Sequence, residues 1–452
     1  MDPQADVVMA ESTDLVGKIR VVTYIVSNEL AKVPRLSSFT RTFEVMLYSH
    51  SPGFFPASIK QSQDGLATIR PMGPVRATLK DLSAYHTDDY LQFILDSKNV
   101  SKRNISAEHI TEFGLEEDCP IFVGLPDYAQ LVAAAKSLIE GGADIAICWD
   151  GGRYIVANIF EMPSMTSALR HHSQKAQASG YCYVADCVLS ILTLRRSHIA
   201  LPGGSTRRPR IMYLDLDLHF SDAVSQSFYR SSGRLGGSQV LTLSVHHAAP
   251  GFFPPSTLSS LSDPLDPSFD PFTLSLPLSQ GACSSTFSKI WPSIEGVKDT
   301  FQPDYVVVQC GVDGLVGDPC AVWNWSLGDR EGSLGWCIDR ICNHWRLKTL
   351  LLGGGGYNSP NAARAWAYLT SIAVCYPSAL EYFDIESDYS QLERPLPLET
   401  DIPDHPAFPL YAPSFTLDVP AGYVQDRNSD AYLSEVEDKF RAIIEIIKSR
   451  IE

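Results

Sequence analysis

Residues 211–224 read IMYLDLDLHFSDAV, an apolar run that passes directly into Asp215, Asp217, His219 and Asp222. The first half of this stretch has the composition of a buried β-strand. Aspartates at the end of such a strand are costly to bury unless a cation or hydrogen bonds compensate. Side chains at alternate positions of an extended chain point to the same side. Asp217 and His219 are therefore well placed to bind one metal ion.

A second strand end supplies a candidate for the third ligand. Asp313 lies just after the apolar run DYVVVQC at 304–310. The alternative is that these aspartates cap turns or helices, as many strand-end aspartates do. A matching aspartate on another strand favours the metal site. One histidine and two aspartates, with a position open for water, suit catalytic zinc, with manganese or iron as alternatives.

The hydrophobic pattern predicts an α/β fold with three layers in a single domain. Apolar runs alternate with amphipathic segments, which is typical of a central parallel sheet covered by helices on both faces. The predicted strands are 19–26, 144–149, 210–216, 240–245, 304–310 and 347–354, and the predicted helices are 128–140, 182–196, 362–376 and 429–451. Stretches rich in Pro, Ser and Gly predict loops at 50–75, 197–209 and 253–282 and an extended strap at 384–427.

Composition argues against several classes of function. The chain of 452 residues carries a net charge of −16, which disfavours a DNA-binding face that neutralises phosphates. No run reaches the ~18 uninterrupted apolar residues of a membrane helix. The acidic N-terminus, MDPQADVVMAESTD, lacks the pattern of a secretory signal. Ten cysteines spread over a chain that lacks this signal indicate reduced thiols and argue against a disulfide framework. The lack of a CxxC pair argues against a cysteine zinc knuckle.

A metal-activated water needs a base, and the adjacent His171 and His172 are the candidates. They precede a glycine and a predicted helix. Neighbouring histidines on a polar loop are usually surface residues. Here, however, Asp215 and Asp222 are left over after metal ligation, and each can orient one imidazole.

Four glycines and a tyrosine end the run LLLGGGGYN at 350–358. Glycines after a strand allow close backbone approach, and such turns often cradle phosphate. The spacing fits neither GxGxxG nor a GK[ST] loop, which makes nucleotide binding a weak prediction. Tyr357 can instead aim its hydroxyl at a developing oxyanion, with a packing role as the alternative.

Together these motifs resemble the histone deacetylases, particularly those of class I. The matching segments include DLDLH at 215–219, the histidine pair followed by ASGYCYVAD, SVHHAAPGFFP at 244–254, QCGVDGLVGDP at 309–319 and LGGGGYN, and they run in one order over roughly residues 19–450. The resemblance implies an arginase/deacetylase-like fold and zinc-dependent hydrolysis of N6-acetyl-lysine in histones or other proteins. It also implies a role in chromatin and transcriptional repression and a nuclear location, with a cytoplasmic pool left open.

Residue by residue, the resemblance implies a full catalytic set. Zinc would be bound by Asp217, His219 and Asp313. His172 would be the general base and acid beside His171, with Asp215 and Asp222 as their carboxylate partners, and Tyr357 would hold the oxyanion. The residues implied for substrate binding are the tunnel walls Gly180, Tyr181 and Phe253, the rim residue Asp118 and the pocket residue Cys320. A structural monovalent cation, K+, would be held by the Asp215 and Ser244 side chains and the carbonyls of Asp217, His219 and Val245.

The sequence departs from the family pattern at four places. Phe220 and Ser221 replace the common His-Gly after DLDLH. Cys320 stands where a larger apolar residue commonly lines the pocket, which predicts more room around the acyl group. Glu117 replaces a frequent aromatic residue and adds negative charge at the rim. These three changes are expected to alter substrate preference more than mechanism.

The fourth departure is an insert, RYIVANIFEMPSMTSAL at 153–169, between WDGG (149–152) and Arg170-His171-His172. It is apolar, and its removal gives WDGGRHH, the family spacing. We interpret it as a short intron translated in error, because 17 codons preserve the reading frame. The alternative is a genuine insert whose remodelled loop holds the histidine pair and lowers activity.

These observations predict a disordered acidic N-terminus at 1–18 and a catalytic domain at 19–380. A C-terminal strap and helix at 381–452 would pack on the same domain. The expected partners are acetylated histone tails or other acetylated proteins and a corepressor complex, without direct DNA or membrane binding. Two other functions remain open: an amidohydrolase for small acetylpolyamines, and a catalytically weak scaffold that binds acetylated tails.

Overall fold

The computed structural model describes residues 20–25, 68–73, 77–96, 99, 106–115, 119, 132–149, 171–180, 182–230, 238–320, 322–328, 330–375, 395–404 and 408–451. The strands are β1 (Val21–Ile25), β2 (Thr68–Met72), β3 (Ile145–Cys148), β4 (Ile199–Ala200), β5 (Thr206–Arg207), β6 (Ile211–Asp215), β7 (Val240–His247), β8 (Thr273–Leu278), β9 (Tyr305–Gln309) and β10 (Lys348–Leu352). Eight of them form one sheet in the order β2-β1-β3-β10-β9-β6-β7-β8, and β4 and β5 form a small second sheet. Every neighbouring pair in the large sheet is parallel.

Helices flank the large sheet. They are α1 (Leu79–Leu82), α2 (Asp88–Leu95), α3 (Ala107–Glu112), α4 (Val132–Ile139), α5 (Asp186–Arg195), α6 (Asp222–Phe228), α7 (Ser284–Phe301), α8 (Leu334–Asp339), α9 (Ser359–Val374) and α10 (Asp430–Ile451). Short 3₁₀ turns occur at Thr257–Ser259 and Phe408–Tyr411, and a π-helical turn occurs at Arg340–His344. None of the helices in these ranges combines the length and apolar character that a bilayer crossing needs.

The two faces of the sheet build separate cores, because successive side chains of a strand point to opposite sides. In β6, Met212 and Leu214 join the core cluster that includes α7 and α9. Ile211 and Tyr213 join the cluster that includes α4 and α5. The predicted three-layer α/β fold with a parallel sheet is confirmed.

Three predictions of loop structure were wrong. The predicted loop at 50–75 contains β2, the predicted loop at 253–282 contains β8, and the loop at 197–209 contains the β4–β5 pair. Pro71 in β2 and Pro277 in β8 lowered their strand signal. Both strands lie at edges of the sheet, where a missing backbone N–H costs no ladder hydrogen bond. Helix α7 was also not predicted, and it contains Pro292.

The C-terminal segments pack against the large sheet's helical layer. Arg364 of α9 donates hydrogen bonds to the carbonyls of Tyr411, Ser414 and Thr416. Helix α10 packs against α7 and buries one apolar stripe, made of Leu433, Val436, Phe440, Ile443 and Ile447. These residues belong to the same core cluster as the central strands.

Candidate active site

Three adjacent strands end at one level and bring the predicted metal ligands together. Strand β9 lies between β6 and β10. In the register of the sheet, Asp215 of β6 is opposite Gln309 of β9, which is opposite Leu352 of β10. The segments that follow these residues carry Asp217, Asp313 and the glycine run. They lie together because the carboxyl ends of parallel strands meet at one edge of the sheet, where functional sites of such folds are found.

Asp217, His219 and Asp313 form a buried cluster that fits a zinc ion. The His219 Nδ1 atom lies 2.9 Å from Asp313 Oδ2 and 3.2 Å from Asp217 Oδ1. Donor atoms around a tetrahedral zinc ion with bonds of ~2.1 Å are about 3.4 Å apart. Within the described ranges, this is the one group of His, Cys, Asp and Glu side chains close enough to hold a metal. The nitrogen and carboxylate donors match those of catalytic zinc sites.

The second oxygen of each aspartate is held by the protein. Asp217 Oδ2 accepts hydrogen bonds from Gln309 Nε2 at 3.0 Å and from the Gly355 backbone N–H at 2.7 Å. Asp313 Oδ1 accepts one from the Leu218 N–H at 2.9 Å. These bonds leave Asp217 Oδ1 and Asp313 Oδ2 directed at the cluster. Gln309 was not among the predicted site residues, although a polar residue closing the apolar, buried strand β9 was a usable signal.

Glycines allow the backbone to pass close to the two carboxylates. A Cβ atom on Gly355 would lie 2.2 Å from Asp313 Oδ2, and one on Gly311 would lie 2.1 Å from Asp217 Oδ2. Neither position has room for a side chain. The glycine run therefore serves close approach, as its composition predicted, and it approaches carboxylates.

The histidine pair is inside the protein with one nitrogen of each ring oriented. His171 Nδ1 lies 2.7 Å from Asp215 Oδ2, and His172 Nδ1 lies 2.5 Å from Asp222 Oδ1. A carboxylate partner makes Nδ1 the hydrogen-bond donor in each ring. Both Nε2 atoms are buried and have no hydrogen-bond partner among the described residues. His171 Nε2 lies 3.7 Å from Asp217 Oδ1, which places it beside the cluster of Asp217, His219 and Asp313.

The two histidines have opposite pKa shifts. Burial lowers the pKa of His172 to about 4, and the charge of His171 adds to that effect, against the opposing Asp222. Burial also acts to lower the pKa of His171, but the carboxylates of Asp215 and Asp217 raise it to about 9. These opposite shifts favour a neutral imidazole at His172, with a lone pair on its Nε2, and an imidazolium at His171.

The loop that carries the histidines is anchored by contacts on its C-terminal side. The Lys175 carbonyl accepts a hydrogen bond from the Thr87 N–H at 3.0 Å, and the Ala178 N–H donates to the Phe113 carbonyl at 2.9 Å. The buried His86 Nε2 accepts a hydrogen bond from the Ala185 N–H at 2.9 Å. All of these anchors lie outside the 153–169 insert.

Aromatic rings lie close to His172 and His219. The Phe253 ring lies edge-on to His172 with 4.8 Å between centroids and is 37% exposed. Gly180 has φ +53°, and a Cβ there would lie 2.7 Å from the His172 ring and 2.9 Å from Phe253. The Tyr357 ring lies 6.2 Å from that of His219.

The other predicted residues fall into four groups. Cys320 is partly buried and its thiol contacts His219. Asp215 and Ser244 are paired in register on β6 and β7 and both are fully buried, with Val245 next in β7. Phe220 is buried against His246, with 4.7 Å between ring centroids, and Ser221 is also buried. Asp118, Tyr181, Glu117 and the 153–169 insert lie outside the described residues.

Comparison with known proteins gives a consistent family. A family model for the histone deacetylase domain matches residues 54–373. Histone deacetylase 8 of Xenopus laevis is 33% identical over 374 residues, covering 81% of this chain and 96% of the relative. Histone deacetylase 8 of Danio rerio is 30% identical over 444 residues, covering 94% and 96%. Histone deacetylase 1 of Homo sapiens is 29% identical over 374 residues, covering 81% and 64%.

Proposed function

The chain belongs to the histone deacetylase family, and we propose that it is a zinc-dependent enzyme that hydrolyses N6-acetyl-lysine in histones and other proteins. The observation that carries this proposal is the buried cluster of Asp217, His219 and Asp313. Beside that cluster lie two histidines whose Nδ1 atoms are each bound to a separate carboxylate.

In this mechanism zinc, when bound by Asp217, His219 and Asp313, supplies a Lewis acid that polarises the acetyl carbonyl and lowers the pKa of water. His172 Nε2 accepts the proton of the attacking water, because its ring is neutral and its Nδ1–H is held by Asp222. The same nitrogen then returns a proton to the leaving lysine amine. His171, kept cationic by Asp215, stabilises the negative charge that develops nearby.

Tyr357 completes the reaction site in this proposal by donating its hydroxyl hydrogen to the oxyanion of the tetrahedral species. Such donors act mainly in the transition state, where the charge is largest. Phe253 and Gly180, with Tyr181, would form the walls that grip the lysine stem, Asp118 would anchor the substrate backbone, and Cys320 would leave room around the acyl group. The contact of Phe253 with His172 supports this placement.

We also propose a structural K+ ion bound by Asp215, Asp217, His219, Ser244 and Val245, supported by the pairing and burial of Asp215 and Ser244. The strap and helix at 381–452 would form one unit with 19–380, since the α10 stripe shares the core of the sheet. The proposal includes a nuclear location and action on acetylated histone tails within a corepressor complex, which membership of the family supports.

A side-by-side assay tests the substrate class. We expect the purified chain, loaded with zinc, to hydrolyse an acetyl-lysine histone-tail peptide with a higher kcat/KM than N-acetylated polyamines. The contacts of a peptide backbone at the rim would favour the longer substrate. A preference for acetylpolyamine would contradict the proposed lysine deacetylase activity and favour that of a small-molecule amidohydrolase. Zinc binding without hydrolysis of either substrate would favour the scaffold function.

Deletion of 153–169 tests the hypothesis that this insert is a translated intron. Because the anchors of the histidine loop lie outside the insert, we expect the shortened chain to bind zinc and to equal or exceed the full chain in kcat/KM. Shortening the connection should also raise the free energy of unfolding by about 1–2 kcal/mol through loop-closure entropy. Denaturant unfolding, zinc analysis and turnover of both forms measure these effects.

Loss of zinc or of turnover on deletion would show that the insert contributes to the site. A mature transcript that retains the 17 codons would contradict the intron interpretation directly. A shortened chain that binds zinc and hydrolyses nothing would again favour the scaffold.

A further inference from the structure

Asp318 is a buried carboxylate that holds the backbone of Tyr357. It is 4% exposed and lies in the loop between Asp313 and Cys320. Its Oδ2 atom accepts hydrogen bonds from the Tyr357 N–H at 2.6 Å and from the Asn358 N–H at 3.2 Å. Its Oδ1 atom accepts one from the Cys320 N–H at 3.0 Å. One side chain therefore connects the proposed oxyanion donor with the proposed wall of the acyl pocket.

The same two segments are also joined in the opposite direction. Asn358 Nδ2 donates to the Gly317 carbonyl at 2.9 Å, and Asn361 Nδ2 donates to the Val316 carbonyl at 2.9 Å. Asn358 also caps α9 by accepting from the Asn361 N–H at 3.1 Å. The loop that follows Asp313 and the start of α9 thus form a reciprocal clamp.

Tyr357 follows the glycine run, whose own conformational freedom is large. On its N-terminal side the backbone is held at Gly355, which donates to Asp217 and whose carbonyl accepts from the Val312 N–H at 2.7 Å. The N–H of Tyr357 itself is held by Asp318. A buried carboxylate is costly unless several donors satisfy it, and burial raises the pKa of Asp318 while these N–H groups oppose the rise.

We propose that Asp318 is a positioning residue for the reaction: it fixes Tyr357 at the distance its hydroxyl needs to reach the oxyanion and keeps Cys320 in register with it. The inference rests on the proposed deacetylase function. Asn in place of Asp318 has the same shape, but it presents an NH₂ group where one carboxylate oxygen stood. At least one set of backbone N–H groups then loses its acceptor.

The kinetic test is a double-mutant cycle between Asp318→Asn and Tyr357→Phe. We expect Asp318→Asn to lower kcat roughly 10-fold to 100-fold, a part of the ~10²–10³ that removal of an oxyanion donor costs, with KM and bound zinc nearly unchanged. In the Tyr357→Phe background the same substitution should have little effect, because the hydroxyl that it positions is absent. An equal loss in both backgrounds would overturn the proposal.

Asp270→Asn is the matched control. Asp270 is 5% exposed and accepts from the Arg230 and Phe272 N–H groups and from the Thr273 hydroxyl, yet it precedes the edge strand β8. We expect this variant to keep the wild-type kcat, which separates positioning from a general loss of buried hydrogen bonds. If Asp318→Asn fails to fold, Asp318→Glu moves the same carboxylate and should give a smaller loss that also disappears in the Tyr357→Phe background.

A readout without turnover separates this inference from the proposed function. With 3-fluorotyrosine placed at position 357, the ¹⁹F resonance should shift and broaden in Asp318→Asn or Asp318→Glu and stay unchanged in Asp270→Asn. A shifted resonance in a chain that hydrolyses no acetyl-lysine would support the positioning role and contradict the proposed deacetylase activity. An unchanged resonance would overturn the positioning role, whatever the activity.

Discussion

Replacing Asp217 with alanine is expected to release the metal and lower kcat/KM for acetyl-lysine peptide by at least about 10³-fold, because a Lewis acid supplies several kcal/mol of transition-state stabilisation. Asp217 would provide one of the three proposed donor atoms, and its other oxygen is fixed by Gln309 and Gly355. The remaining His219 and Asp313 leave too few ligands for a catalytic site. Metal analysis of the purified protein and steady-state kinetics measure both effects.

The control for this prediction is Asp304→Ala. Asp304 precedes β9, at the opposite end of that strand from Asp313, and pairs with Arg207 at 2.6 Å. Losing this partly exposed ion pair should reduce stability slightly and leave zinc and turnover intact. If Asp217→Ala keeps its zinc, or if an active preparation loses no turnover, the metal assignment is wrong.

The second large effect is expected at His172. His172→Ala should lower kcat by about 10²–10⁴, the usual contribution of a general acid–base catalyst, while zinc should stay bound because His172 is not among the proposed ligands. The structure supports this separation, since the His172 Nδ1 contacts Asp222 and His172 lies outside the cluster of Asp217, His219 and Asp313. Steady-state kinetics and zinc analysis on one preparation would measure both quantities.

Chemical rescue distinguishes proton transfer from packing. Added imidazole should restore part of the activity of His172→Ala by entering the space of the lost ring. His246→Ala is the comparison, since His246 is equally buried and burial lowers its pKa to about 4. Its two nitrogens bond to Ser244 and Ser259, and imidazole should give no rate increase there. Near-normal turnover by zinc-loaded His172→Ala would show that another group acts as the general base.

The sequence was most informative where polar residues interrupt apolar strands. Asp217, His219 and Asp313 were predicted as one site because a buried strand leaves few reasons for charge at its end, and the structure places them together. It was least informative at the sheet edges, where proline in β2 and β8 weakened the pattern. Gln309 was missed although a polar residue at the end of the buried strand β9 was a signal for it. Asp318 was missed because its bonds to Tyr357 and Asn358 join segments that no local pattern connects.

The sequence by itself determined the parallel α/β fold, the family and the identity of the candidate ligands, because hydrophobic period and motif order are local properties of the chain. The tertiary structure alone decided how the atoms of the candidate site are placed. His171 and His172 meet their carboxylates 44 and 50 residues away along the chain. Burial lowers the pKa of His172 against the effect of Asp222, whereas Asp215 and Asp217 outweigh burial and raise the pKa of His171. Hydrogen bonds from distant segments likewise decide which oxygen of Asp217 faces His219. Such choices depend on burial and on contacts across the sheet, which exist only once the chain has folded.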